Sequence, residues 1–113
     1  MNKNMINVDG FNAIVTFDSD SNMLHGEFIG LNGGADFFAT NTEDLHKEAK
    51  ISLSTFLDVC KEQGIEPVKN YSGKFNTRIA PKLHEKLFIA ATSQGKSINE
   101  VVNEAIEREV ERV

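Results

Sequence analysis

A single cysteine, Cys60, among 113 residues excludes an internal disulfide. A reducing cytoplasm is therefore the expected setting. Cys60 itself reads as a small buried apolar residue on a helix. No apolar run approaches the ~18 to 20 residues that a membrane span needs. The opening MNKNMINVDG lacks the apolar core and the small-residue cleavage site of a signal peptide. The three histidines, His25, His46 and His84, fall on different elements without metal-ligand spacing, so no metal or cofactor is expected. Gly95-Lys96-Ser97 ends like a phosphate-binding loop, but Ala90 stands where that motif needs its first glycine. Asp18-Ser-Asp20-Ser-Asn22 opens like a calcium loop. Met23 and Ile29 then occupy the positions of the required Gly and Glu, so a hairpin turn is expected.

What is present is ordinary in bulk, 40% hydrophobic and 26% charged, and uneven in distribution. Residues 1–63 hold four Lys and no Arg against ten Asp and Glu, a net of −6. Residues 68–96 hold six Lys and Arg against Glu85 alone, a net of +5. Residues 97–113 return to −3. A basic block between two acidic ones points to two separate jobs for one chain. The acids of the first block fall at turns or on helix surfaces, with no pair marked for acid–base chemistry. No catalytic residue is expected, and the chain is not expected to be an enzyme.

The pattern along the chain predicts an α+β fold. FNAIVTF (11–17), MLHGEFIGL (23–31) and ADFFAT (35–40) read as three strands of an antiparallel meander, with turns at 18–22 and 32–34. A helix follows, with Thr42 as its expected N-cap and Gly64 as its C-terminal cap. Leu45, Ala49, Leu53, Phe56, Leu57 and Cys60 recur on one face of it. Residues 64–72 carry turn chemistry and read as a linker between a domain at 1–63 and another at 73–113. Within the second, KFNTRI (74–79) alternates as a strand. Pro81 opens one helix, with Leu83, Leu87, Ala90 and Ala91 on its apolar face, and Gly95 closes it. Ser97 and Glu100 form a capping box for another, with an apolar stripe at Ile98, Val101, Val102, Ala105 and Ile106.

The strand at 74–79 has no neighbour in sequence with which to pair, and a lone strand is not stable. A second copy of the chain solves this with an antiparallel two-stranded ribbon about a twofold axis. Phe75, Thr77 and Ile79 would then face the shared core. Lys74, Asn76 and Arg78 would face outward, with the donor chemistry that reads guanine and adenine edges in the major groove. Lys96, Ser97, Ile98 and Asn99, at the start of the last helix, suit a phosphate contact. A helix-turn-helix would instead place the last helix in the groove. That helix carries Glu100, Glu104, Glu107 and Glu109, which phosphates repel.

The segment SGKFNTRIAPKLHEKLFIAATSQGKSINEVVNEAIERE resembles a ribbon-helix-helix DNA-binding domain of the Arc/MetJ type. The K-F-N-T-R strand, the proline at the helix start and the G-K-S-I-N-E turn carry the likeness. Thr77 departs from it, since an apolar residue is commoner there. Three strands and a helix ending in FLDVCKEQGIEP, placed before such a domain, resemble the HicB family of antitoxins. That resemblance implies a partial RNase H-like N-terminal domain that blocks a HicA toxin, a small basic mRNA-cleaving protein. It also implies a C-terminal domain that represses the operon. The implied partners are operator DNA, a HicA-type toxin and a second copy of the chain, with higher assembly left open. The acidic first block agrees with a basic partner. The alternative is a ribbon-helix-helix regulator whose N-terminal domain senses a ligand or aids oligomerisation. An RNase H-like enzyme is disfavoured, because clustered strand carboxylates are missing.

Overall fold

The computed structural model describes residues 4–112. Strands β1 (Met5–Val8), β2 (Phe11–Asp18), β3 (Met23–Phe28) and β4 (Asp36–Ala39) precede helices α1 (Thr42–Gln63), α2 (Pro81–Ser93) and α3 (Ile98–Glu111). The chain divides into two compact units, with the boundary between Ser72 and Gly73.

In the first unit the strands form one antiparallel sheet in the order β1-β2-β3-β4. The expected sheet had three strands, and the fourth, β1, is a correction. The reason lies at Asp9-Gly10, where both residues take positive φ (51° and 90°). That conformation matches the twist of a two-residue hairpin turn, and it sets Val8 opposite Phe11. Asn7 fastens the turn by accepting the Gly10 amide at 3.1 Å. The strand expected at 23–31 ends earlier, at Phe28. Gly30, at φ 78°, bends the chain, and Leu31 turns into the core at 3% exposure.

Helix α1 covers one face of this sheet. Leu45, Ala49 and Leu53 pack with Val8, Ala13, Phe28 and Phe37, and Phe56 and Leu57 lie beside them. Its N-cap is Asn41, not Thr42: the Asn41 side chain accepts the Asp44 amide at 2.8 Å. Asn41 has extended dihedrals and the side-chain oxygen that a cap requires. Gly64, at φ 66°, ends the helix in the left-handed conformation. Cys60 is buried on α1. The following segment, expected as a linker, is tied to the β3–β4 connection. Asn32 Nδ2 donates to the carbonyls of Glu66 (2.8 Å) and Val68 (3.1 Å), and the Lys69 amide donates to Gly30.

In the second unit α2 begins at Pro81 and ends at a turn where Gly95 has φ 66° and the Lys96 amide donates to Ala91. Ser97 caps α3 by accepting the Glu100 amide at 3.1 Å, and its hydroxyl lies 3.3 Å from the Glu100 carboxylate. Among the described residues of this unit, Ala91 is the one buried apolar side chain. The helical stripes stay largely open: Leu83 is 55% and Ile106 40% exposed. A unit of about 40 residues rarely buries enough surface to fold alone, so these stripes call for a further element.

Candidate nucleic-acid interface

The strand expected at 74–79 is not formed in the single chain: residues 74–80 belong to neither helix nor strand, and among the described residues no strand of the sheet pairs with them. Every one of them is exposed, and Phe75, a large apolar side chain, is 73% exposed. The segment borders an open groove of about 1190 Å³ against α2 and α3. Leu83, Leu87, Ile98, Val102 and Ile106 form its apolar wall. An extended chain points alternate side chains to opposite sides. Yet all residues from Gly73 to Ile79 border the groove, so the single chain does not sort base-reading residues from core residues.

The expected site residues fall into two groups. Lys74, Asn76 and Arg78 lie together on the extended segment with Phe75, Thr77 and Ile79 between them. Lys96, Ser97, Ile98 and Asn99 lie together at the α2–α3 turn. The Ile98 and Asn99 amides are in the first turn of α3, where a helix leaves donors without intrahelical partners and its dipole favours an anion. Lys96 has a rival for any phosphate: its ammonium lies 2.8 and 2.9 Å from the Glu104 carboxylate oxygens. A partly exposed pair of this kind contributes roughly 0–1 kcal/mol, so a phosphate can displace it. Sequence reasoning missed this pair. Lys96 stands just before α3 and Glu104 lies within it, a separation of eight residues that lies outside the i, i+3 and i, i+4 pairs read along a helix.

The acidic turn at 18–22 is a closed local structure. Asp18 accepts the Asp20 amide at 3.1 Å and the Ser21 hydroxyl at 3.0 Å. The Ser21 hydroxyl and then the Asp20 amide hold the Asp18 carboxyl below the ordinary aspartate range. Among the described residues no group of three or more His, Cys, Asp or Glu is placed to hold a metal ion. Among them too, no helix is long and apolar enough to cross a membrane.

No curated protein and no solved structure matches the chain. The model of the HicB family matches residues 56–106, from the end of α1 through the extended segment and α2 into α3. The sheet lies outside that match. The matched stretch contains segment 74–80, its groove and the α2–α3 turn, and over these residues the chain is similar to the HicB family.

Proposed function

We propose that the chain is the antitoxin of a type II toxin–antitoxin system. It neutralises a HicA-type mRNA-cleaving toxin with its first unit, and with its second it represses its own operon as a homodimer. It works in the cytoplasm by binding, not by chemistry. The observation that carries this reading is the exposed segment 74–80, with Phe75 73% exposed, beside an open groove with an apolar wall. A second copy supplies the apolar cover that Phe75 and the groove leave open, with the two segments running antiparallel about a twofold axis. In such a dimer Phe75, Thr77 and Ile79 turn inward, and Lys74, Asn76 and Arg78 face the major groove. The domain limits that follow are a toxin-binding domain at 1–63, a connection at 64–72 and a ribbon-helix-helix domain at 73–113. The α3 amides carry more of the phosphate contact than Lys96, which must first leave Glu104.

A gel-shift against the gene's own upstream DNA tests the DNA half. Changing Lys74, Asn76 and Arg78 together to alanine removes contacts worth about 1–3 kcal/mol for each good bidentate pair. Specific binding should then fall to the level seen with unrelated DNA. Undiminished specific binding by this variant refutes the ribbon. Co-expression with the adjacent small basic gene product tests the other half. Growth arrest that the chain does not relieve, together with intact operator binding, would leave a regulator without a toxin partner.

A further inference from the structure

Helix α1 covers only one face of the sheet, and the opposite face has a composition of its own. Met5, Ile14, Glu27 and Asp36 follow one another across the four strands, and Thr16, His25 and Phe38 form the next row. These rows alternate with the core residues Ala13, Phe28 and Phe37, so they point away from α1. Met5 is 37% and Phe38 44% exposed, so this face presents apolar surface to solvent alongside its carboxylates.

Charge is segregated between the two layers. The four strands together contain Asp18, Glu27 and Asp36 and no Lys or Arg. Between residues 4 and 63 the lysines, Lys47, Lys50 and Lys61, all belong to α1 on the other layer.

Glu27 and Asp36 are also direct cross-strand partners. The Phe28 amide donates to Ala35, so 28–35 is a hydrogen-bonded pair and the neighbouring Glu27–Asp36 is not. In that class the backbones approach to about 4.5 Å between Cα atoms and the side chains are closest. Like charges at such a position destabilise a sheet. His25 sits beside them, with Nε2 3.3 Å from Asp36 Oδ2 and its ring stacked on Phe38 at 4.4 Å. Two carboxylates on directly opposed residues, next to an exposed aromatic ring, are suited to a guanidinium or ammonium group from outside.

We infer that this outer sheet face, centred on Glu27, Asp36 and Phe38, is the docking surface for a basic protein. Under the antitoxin reading, on which this identification rests, that protein is the toxin. Lysine and arginine side chains of the partner relieve the Glu27–Asp36 repulsion, while Met5, Ile14 and Phe38 supply the apolar contact.

The double variant Glu27→Gln, Asp36→Asn tests this, because its two readouts move in opposite directions. Thermal stability of the free chain should hold or rise, since the repulsion is gone. Affinity for the purified adjacent basic gene product, measured by calorimetry, should fall about tenfold or more, and the salt dependence of binding should flatten. Glu62→Gln, at an exposed position near the C-terminal end of α1, serves as the comparison and should bind as the parent does. Unchanged affinity in the double variant overturns the proposal, as does loss of binding in Glu62→Gln alone. Loss of self-association instead of partner binding would make the face a contact between copies and also overturn it. Failure of the parent chain to bind the gene product at all would defeat the antitoxin reading itself, which the parent arm reports separately.

Discussion

Replacing Phe75 with alanine tests the groove directly. In the single chain Phe75 is 73% exposed, so most of its surface has yet to leave water. Burying a complete Phe side chain contributes about 1.5–3 kcal/mol, so the uncovered part is worth about 1–2 kcal/mol. A twofold dimer counts it twice, giving about 2–4 kcal/mol per dimer. At 1.4 kcal/mol per tenfold, the dimer dissociation constant should weaken by roughly 30- to 700-fold. Any void left in the dimer core adds to this. Sedimentation equilibrium on Phe75→Ala and the parent chain measures it. Tyr71→Ala is the comparison, because Tyr71 is 78% exposed and borders no part of the groove. A shift of less than about threefold in Phe75→Ala would refute the burial on which the estimate rests. So would an equal shift in Tyr71→Ala, or a parent chain that stays monomeric at every concentration.

Three further outcomes concern the first unit. Gly26→Ala should destabilise by about 1–3 kcal/mol, read as a lower urea midpoint, because a Cβ there runs into the buried ring of Phe37. Asn32→Ala removes two hydrogen bonds worth about 0.5–1.5 kcal/mol each, and hydrogen exchange at the Lys69 amide should quicken as residues 66–69 loosen from the β3–β4 connection. Asp18→Asn should lower the melting temperature at pH 6. The folded carboxyl titrates below the ordinary aspartate value, so its contribution is complete above that value and disappears as pH falls through the depressed one. The difference between Asp18→Asn and the parent should therefore shrink on acidification, and a difference that is constant or grows would contradict it.

Much of the local structure was legible from residue order. The apolar spacing on α1, the Pro81 start of α2, the Ser97 cap and the Gly64 stop all act within one or two helical turns, and each appears where the sequence places it. The Asp9-Gly10 hairpin was equally local and was overlooked: its turn chemistry was written in MINVDGFN, and it adds the fourth strand. The N-cap moved by one residue because Asn and Thr both suit that role, and only the path from β4 into α1 selects Asn41.

The outer sheet face was not legible in advance. Glu27 and Asp36 are nine positions apart and become neighbours only through the β3–β4 register. The Lys96–Glu104 pair likewise joins residues eight positions apart, beyond the i, i+3 and i, i+4 neighbours of a helix. By itself the sequence determined the helices, the caps at Gly64 and Ser97, the charge blocks and the alternating residues at 74–79, because each depends on neighbours along the chain. Tertiary structure decided which carboxylates stand opposed, which sheet face α1 covers and, among the described residues, that no strand of the sheet pairs with segment 74–80. Those outcomes depend on register and on which surfaces meet, and neither is a property of any short stretch of residues.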